Sequence, residues 1–246
     1  MQRFIALWRL VLLITVSFLW LIMGTMLQWI TGHSVKSSRW VVQTWATCVL
    51  KILHIKINLY GNLPDLQAMV MANHRSYLDI FVLLAYFPES IVGKKELRKW
   101  PIIGQATKLA RMVLVERTNV KSLFETMGKI EMALNSGSSV ILFPEGTTFK
   151  GPHTLKFKTG GFAVASQKGI QVIPCAISYF DAEDAWVGND YFIPHFINQM
   201  GKPLTEVNLW FGEPNYYPDA RQLKLVTQDA INQMLVDWNK RKARAN

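Results

Sequence analysis

One histidine and one aspartate stand five positions apart in the segment MVMANHRSYLDIFVLL, residues 69 to 84, with apolar runs on both sides of the pair. On one continuous helix His74 and Asp79 would lie about 140° apart around the axis, since successive residues turn by about 100°. The two side chains can meet only if His74 lies in the turn before a helix and Asp79 lies in its first turn. Such a pair suits general-base chemistry, because imidazole titrates near neutral pH and a carboxylate stabilises the imidazolium that forms.

A structural explanation of the same segment competes with the catalytic one. Ser76 is a good N-cap residue, and the apolar run from Ile80 to Leu84 continues a helix that would begin there. Ser76 and Asp79 then resemble a capping box with Asp in place of Glu, and His74 would be a hydrogen-bonded loop residue. The segment alone leaves both interpretations open.

The elements that must position this pair alternate between strand and helix. Strands are predicted in IKINLYG, AMVMA, SIVGK, MVLVER, SSVILFPEG, IQVIPCAISYF and EVNLWFGEP, and helices from Ser76, from Val120 to Leu134, in TGGFAVASQKG with Gly169 as its cap, and from Asp219 to about Lys242. The stretch KELRKWPIIGQATKLA is predicted to be helical or turn structure. This order predicts an α/β fold with a mixed, largely parallel sheet flanked by helices, in which ligand sites gather at the strand ends.

The N-terminal part of the chain is predicted to contact a membrane. Leu10 to Ile30 are 21 residues without a charge, which as a helix would extend about 31 Å, the thickness of a bilayer core. A cleaved signal peptide is the competing interpretation, but the stretch is long for one and no small-residue cleavage site follows it. The next segment, SRWVVQTWATCVLKILH, is amphipathic, and we expect it to lie in the membrane interface, the alternative being packing on the soluble domain. Residues 1–55 are thus predicted to be a hydrophobic and amphipathic helix pair that anchors a domain of residues 56–246.

Composition narrows the classes of function. A formal charge of +10 implies an anionic partner, and hydrophobic residues at 50% suffice for one sizeable domain with an appendage. Cys48 and Cys175 are the only cysteines, which excludes a disulfide framework and a thiolate metal cluster, and no metal is expected. The sequence has no GxSxG, GxxxxGK[ST], GxGxxG or HExxH motif, so serine hydrolases, nucleotide motors and zinc proteases lose support. Nucleic acid is not expected either, because the basic residues are not clustered with interleaved aromatics.

A second polar group of residues also follows predicted strands. Glu145 ends the strand in SSVILFPEG, and Gly146 allows a tight turn or a close approach of a ligand, although a plain strand-to-loop turn is the alternative. Arg117 ends the apolar strand in MVLVER, whereas the other basic residues of this region are typical of solvated surface.

Taken in order, the segments NHRSYLD, KKELRKWPIIG, VLVER, FPEGTT and VIPCA resemble the motifs of glycerolipid acyltransferases of the lysophosphatidic acid acyltransferase type, over roughly residues 55 to 215. The resemblance implies a membrane-bound O-acyltransferase that moves a fatty acyl group from a thioester to the free hydroxyl of a lysophospholipid, foremost 1-acylglycerol-3-phosphate, which would give phosphatidic acid. His74 would be the base and Asp79 its carboxylate partner. The acceptor's hydroxyl takes the place of an enzyme serine, which accounts for the missing serine motif.

The same resemblance implies an acceptor site. Arg117 would bind the acceptor phosphate, and Glu145, Gly146 and Thr147 would line the site. Thr148 stands where the family often has arginine. A phosphate clamp would then be weakened, be replaced by Lys156 or Lys158, or be unneeded because the acceptor is a different lysolipid.

No cofactor is expected, and the donor would be acyl-CoA or acyl-carrier protein. The expected partners are the phospholipid membrane, the lysophospholipid and the donor, with the catalytic domain on the cytoplasmic side of a plasma or inner membrane. An acyltransferase for another lysolipid, such as a lyso-aminolipid, and a non-catalytic lipid-binding protein are the alternatives.

Overall fold

A computed structural model describes residues 2–32, 34–99, 101–116, 120–187 and 191–245. Within these ranges one seven-stranded sheet has the order β1-β7-β6-β2-β5-β3-β4. The strands are β1 Ile55–Tyr60, β2 Met69–Ala72, β3 Ser90–Lys94, β4 Val113–Val115, β5 Val140–Leu142, β6 Val172–Tyr179 and β7 Thr205–Phe211. Strands β6, β2, β5, β3 and β4 are mutually parallel, and β7 pairs antiparallel with β6 and parallel with β1. The predicted mixed, largely parallel sheet is confirmed.

Helices cover both faces of this sheet. They are α1 Gln2–Thr31, α2 Val35–Ile52, α3 Asp79–Tyr86, α4 Pro101–Leu109, α5 Val120–Asn135, α6 Gly160–Lys168, α7 Phe192–Gly201 and α8 Ala220–Ala245, with 3-10 turns at Lys95–Lys99 and Ala182–Asp184. Alternate residues of β2 point to opposite faces, so Val70 and Ala72 join the core under α2 and α3, while Met69 and Met71 join the core under α6 and α8. Buried on both sides, β2 lies at the centre of three layers.

Local sequence signals set several element boundaries. Ser34 caps α2, because its side chain accepts a hydrogen bond from the backbone N–H of Ser37. Gly169 ends α6 in the left-handed conformation, with φ of 66°, as its sequence predicts. Helix α7 is not predicted from the sequence, because Pro194 is typical of a break. The proline is tolerated because it falls in the first turn, where no intrahelical N–H is required.

The amphipathic helix α2 packs inside the protein, so its predicted place in the membrane interface is wrong. Its buried stripe consists of Val42, Ala46, Val49 and Leu53, which belong to the core shared with α3 and the sheet. Beside this stripe, the half-buried ring of Trp45 lies edge-on to Phe81 of α3, with 5.3 Å between ring centroids. Helices α1 and α3 both pack against α2.

The first helix, α1, has polar contacts on the inside and apolar residues on the outside. Arg9 Nη1 donates to the carbonyl oxygens of Met200 (3.0 Å) and Lys202, Trp45 Nε1 donates to Ser17 Oγ (3.1 Å), Trp20 Nε1 donates to Thr44 Oγ1 (2.9 Å), and Gln28 Nε2 donates to Ser38 Oγ (3.2 Å). The exposed apolar residues are Phe4, Leu7, Trp8, Val11, Ile14, Phe18, Leu19, Ile22, Met26, Trp29 and Ile30. Among the described residues, α1 is the one helix long and apolar enough to cross a membrane by length and composition.

Candidate active site

His74 and Asp79 meet in the loop that leads from β2 into α3. Asp79 is the first residue of α3, and its side chain folds back over the loop, so that His74 Nδ1 lies 2.8 Å from Asp79 Oδ2. The same oxygen accepts hydrogen bonds from the backbone N–H groups of Arg75 (2.6 Å) and Ser76 (2.9 Å). Asp79 is fully buried, and the side chain of His74 remains 19% exposed. The five-residue spacing is thus explained by a carboxylate that reaches back to a histidine in the preceding turn.

Ser76 does not cap the helix, which corrects the structural explanation of this segment. Leu78, and not Ser76, precedes the first helical residue, and it makes no side-chain cap hydrogen bond. Ser76 Oγ is buried without a hydrogen-bond partner among the described residues. Ser76 lies three positions before the helix start because an extra turn intervenes, in which the Asp79 N–H donates to the Ser76 carbonyl oxygen (3.1 Å). The Asp79 carboxylate accepts from the N–H groups of Arg75 and Ser76, which precede the helix.

Tyr179 is a partner of the pair that the sequence interpretation missed. Its hydroxyl donates to Asp79 Oδ1 at 2.7 Å, and burial together with the charge of Asp79 raises the pKa of this phenol well above its usual value. Tyr179 is the last residue of β6, which pairs with β2, so the strand order brings it to the loop. Asp79 therefore accepts four hydrogen bonds, three on Oδ2 and one on Oδ1. The only local feature that could have indicated this role was a tyrosine at the end of an apolar strand. That feature does not show that β6 lies beside β2, which is what brings Tyr179 to Asp79.

Glu145 contacts the backbone of the loop between β2 and α3. One carboxylate oxygen accepts from the His74 N–H and the other from the Leu155 N–H, both at 2.8 Å. Burial raises the pKa of Glu145, while these two N–H groups and the charge of Arg75 oppose the rise. Because β5 lies beside β2, its end places Glu145 directly against His74. The acceptor contact that the family resemblance implies for Glu145 stays a prediction.

Arg75 holds the loop that follows Glu145 against the His74 segment. The sequence analysis did not predict this role. Its guanidinium donates to the carbonyl oxygens of Phe149 (2.6 Å) and His153 (3.3 Å), and the Phe149 N–H donates to the His74 carbonyl oxygen (2.9 Å). Burial lowers the pKa of Arg75, and the charges of Glu145 and Asp79 oppose this. On the other side, the His74 ring stacks on Phe143 with 4.0 Å between centroids. The His74 imidazole is therefore held by the Phe143 ring and the Asp79 carboxylate. The His74 backbone is held by Glu145 and by the Phe149 N–H.

The predicted acceptor residues lie along the loop after β5. Gly146 has a φ of 77°, and a Cβ at this position would lie 2.6 Å from Lys158 Nζ, so a glycine is needed for the lysine to approach the loop. Thr147 is exposed, Thr148 is half-buried, and Lys158 is exposed. The ammonium group of Lys158 therefore lies beside this loop. Arg117 lies outside the described residues.

Among the described residues, no group of three or more His, Cys, Asp or Glu side chains is placed to hold a metal ion. The chemistry that the site offers is proton transfer. Nδ1 of His74 is taken by Asp79, which leaves Nε2 for a substrate. The sheet and this pair define the class of protein, an α/β enzyme that holds a histidine at the carboxyl edge of its parallel strands.

The chain belongs to the acyltransferase family, whose family model, described as Acyltransferase, matches residues 54–178. The chain is 30% identical over 224 residues to the lyso-ornithine lipid O-acyltransferase of Rhizobium meliloti, with 82% of this chain and 77% of that protein covered. It is 31% identical over 160 residues to the 1-acyl-sn-glycerol-3-phosphate acyltransferase of Neisseria gonorrhoeae, with 64% and 63% covered. The predicted family is confirmed, and the chain is an O-acyltransferase.

A solved structure has the same fold. The crystal structure of the 1-acyl-sn-glycerophosphate (LPA) acyltransferase of Thermotoga maritima superposes with a TM-score of 0.74, covering 97% of this chain and 98% of that one, at 19% identity. At this identity the likeness shows the fold alone.

Proposed function

We propose that this protein transfers a fatty acyl group from an acyl thioester to the free hydroxyl of a membrane lysolipid, with His74 as the general base. The observation that carries the proposal is the contact of 2.8 Å between His74 Nδ1 and the fully buried Asp79. A carboxylate on one ring nitrogen fixes the tautomer, so the other nitrogen can take a proton. A purely lipid-binding protein has no use for this arrangement.

The reaction passes one proton from the acceptor hydroxyl to the leaving thiolate through His74, and it needs no covalent enzyme intermediate. Nε2 of His74 removes the hydroxyl proton as the acceptor oxygen attacks the thioester carbonyl. The C–S bond then breaks, and the leaving thiolate accepts this proton from His74. The four hydrogen bonds on Asp79 keep its charge in place while the imidazolium exists. Coenzyme A or an acyl-carrier protein would supply the thiol.

Lysophosphatidate, 1-acylglycerol-3-phosphate, is the first candidate acceptor. A terminal phosphate carries up to two negative charges and calls for cations near the site. Lys158 supplies one, because its ammonium group lies against Gly146 in the loop that follows Glu145. By family resemblance Arg117 would supply another.

A lyso-ornithine lipid is the second candidate, for two reasons. Thr148 replaces a cation that the family often has, and a hydroxyl suits a zwitterionic headgroup without leaving a half-buried charge unpaired. The similarity to the Rhizobium meliloti enzyme also extends over more of the chain than the similarity to the Neisseria gonorrhoeae enzyme.

Helix α1 would hold the protein on its membrane. Its polar contacts with the rest of the protein extend from Arg9 to Gln28, about 28 Å along the helix. If α1 crossed the bilayer, these contacts would break or the domain would have to enter the bilayer with the helix. We therefore propose that α1 lies along one leaflet with its exposed apolar face in lipid, and that the domain stays on the same, cytoplasmic side of the plasma or inner membrane. Helix α2 shares the core of the domain. The predicted boundary near residue 55 therefore stays a proposal that separates the membrane-attaching helices from the acyltransferase domain.

Membranes that contain the protein, incubated with labelled acyl-CoA or acyl-carrier protein and a panel of lysolipids, test the proposal. We expect transfer to lysolipids and a kcat/KM that favours lysophosphatidate over a lyso-ornithine lipid. Absence of transfer from either donor to every lysolipid, with the protein folded on its membrane, would support the lipid-binding alternative instead.

Two variants then assign the acceptor site. Lys158→Ala should lower the preference for lysophosphatidate about tenfold, since it removes a cation from a phosphate contact. Thr148→Arg should raise that preference by less. A wild-type preference for the lyso-ornithine lipid, reversed by Thr148→Arg, would establish the second candidate. An unchanged ratio in both variants would remove both residues from the acceptor site.

A further inference from the structure

Outside the active site, helix α7 exposes an apolar face that no described element covers. This α7 face consists of Tyr191, just before the helix, and of Ile193 and Ile197, which are 83%, 68% and 45% exposed. The segment from 191 to 201 contains no Asp, Glu, Lys or Arg. Single exposed apolar residues are ordinary on a soluble surface, but several on one short helix indicate a site of contact.

Helix α7, which carries this face, packs directly against α1. The C-terminal end of α7 lies against the first residues of α1, since a Cβ on Gly201 would lie 3.3 Å from the carbonyl oxygen of Gln2. Arg9 of α1 donates to the carbonyl oxygens of Met200 and Lys202 and so fastens the two helices together. Both helices are held rigidly side by side, and each leaves its apolar residues outside.

The opposite side of α7 touches the catalytic loop through Tyr77. The Tyr77 ring lies 5.1 Å from Phe192 and 5.8 Å from Phe196, measured between centroids, and its hydroxyl lies 3.2 Å from His195 Nδ1. Tyr77 stands between His74 and Asp79 in the chain. A membrane or partner that contacts the outer side of α7 is therefore separated from the loop of His74 only by α7 itself.

We infer that the α7 face inserts into the same lipid surface as α1, as a second membrane contact that sets how the active site faces the bilayer. The inference rests on the proposed attachment through α1. A bilayer fits this face better than a protein partner does, because α7 is fastened to α1, the helix with the larger exposed apolar surface, and because the net charge of +10 complements anionic headgroups. A second copy of the chain is the other possible occupant.

Spin labels at three exposed positions of the full chain test this inference. Cys48→Ser removes the half-buried native thiol, and Cys175 is fully buried, so a nitroxide attaches to one introduced cysteine. The positions are Ile193→Cys on α7, Ile14→Cys on α1, and Leu225→Cys on α8 as a matched exposed aliphatic residue elsewhere. The protein is bound to vesicles of phosphatidylethanolamine and phosphatidylglycerol, and collisions with oxygen and with a water-soluble nickel chelate are measured.

We expect the oxygen-to-nickel collision ratio at positions 193 and 14 to exceed that at position 225 by about fivefold or more, as for side chains below the headgroups. A shielded position 14 with position 193 as wet as position 225 would overturn the inference and keep the attachment through α1. Three wet positions would overturn both. Dipolar broadening between labels at position 193 would place a second copy of the chain there and would also overturn it.

Discussion

Two buried carboxylates stand near the two ends of α3, at opposite edges of the sheet, and their partners differ. Asp79 is the first residue of α3, and Glu89 follows its last turn. Asp79 follows β2, at the carboxyl edge, and its partners are His74, two neighbouring N–H groups and the Tyr179 hydroxyl. Glu89 precedes β3, at the amino edge, where Glu89 Oε1 lies 2.6 Å from Arg39 Nη2 and Glu89 Oε2 accepts from the Ser139 N–H at 3.0 Å.

The difference lies in the partner of each charge. A histidine can release and take back a proton near neutral pH, whereas arginine stays charged, so the first pair can do chemistry and the second can only hold α2 to the sheet. The comparison predicts that changes around Asp79 lower the rate and that changes around Glu89 lower the stability.

Removing the base should give the largest effect. We expect His74→Ala to lower kcat by about 1,000-fold or more, toward the upper end of what general bases contribute. Binding to membranes should be unchanged. The melting temperature should fall by only about 2–4 °C, because the stacking on Phe143 is lost but Asp79 keeps its three other hydrogen-bond donors. A variant that keeps more than about a tenth of the wild-type rate would show that His74 is not the base.

Asp79→Asn should lower kcat by about 100-fold while the fold stays intact. The amide oxygen can still accept from the loop N–H groups, and the amide nitrogen can donate to the Tyr179 oxygen, so the hydrogen bonds survive with one reversed. The neutral amide cannot stabilise an imidazolium. An unchanged rate with a lower melting temperature would make Asp79 a structural residue, like Glu89.

Much of the catalytic edge could be predicted because it is local in sequence. His74 lies within five residues of Asp79, so spacing and residue type suffice to predict this contact as one of two interpretations, whereas the N–H donors of Arg75 and Ser76 were not predicted. Tyr179 and the Arg39–Glu89 pair escaped prediction because each depends on which strands and helices become neighbours. The sequence alone does not give the order β6-β2-β5-β3.

The apolar stripe of α2 shows the same limit. Its pattern is the same for a helix that faces lipid and for one that faces protein, and only the positions of α1 and α3 decide. The predicted helix at Ser76 started too early for a related reason. A serine three positions before an aspartate fits a cap, but Asp79 Oδ2 accepts from the N–H groups of Arg75 and Ser76, and the Ser76 hydroxyl has no hydrogen-bond partner among the described residues.

Tyr179→Phe tests whether a long-range partner belongs to the catalytic edge. The change leaves Asp79 Oδ1 without its donor in a fully buried place, and we expect kcat to fall about tenfold and the stability to fall by about 1–3 kcal/mol. In the Asp79→Asn background the same change should lower kcat much less, because the charge that Tyr179 holds is already gone.

Tyr216→Phe is the matched control, since its hydroxyl contacts the Ser166 carbonyl oxygen at 3.4 Å on the other side of the sheet. It should leave kcat unchanged. Full additivity of Tyr179→Phe and Asp79→Asn in kcat would mean that Tyr179 only supports packing.

The smallest effect is expected at the amino edge, and it should depend on pH. Burial raises the pKa of Glu89, and Arg39, the Ser139 N–H and the charge of Arg111 oppose the rise. A raised pKa means that the folded state binds the proton more tightly than the unfolded state, so this contribution to stability is present below the unfolded pKa and is lost as the pH rises through the folded pKa. Arg39→Ala removes one opposing cation and should enlarge that loss.

We therefore expect Arg39→Ala to lower the melting temperature by about 2–4 °C at pH 8, or about 1 kcal/mol, since the Arg39 side chain is 41% exposed and the pair is partly screened. At pH 5 the loss should be smaller, because Glu89 is then protonated in a larger share of molecules, and kcat should not change at either pH. Adding Glu89→Gln should abolish the difference between the two pH values. Equal losses at both pH values would attribute the effect to the other Arg39 contact, its 3.2 Å hydrogen bond to the Gly137 carbonyl oxygen. A lower kcat with unchanged stability would break the comparison between the two edges, since the amino edge would then take part in the reaction.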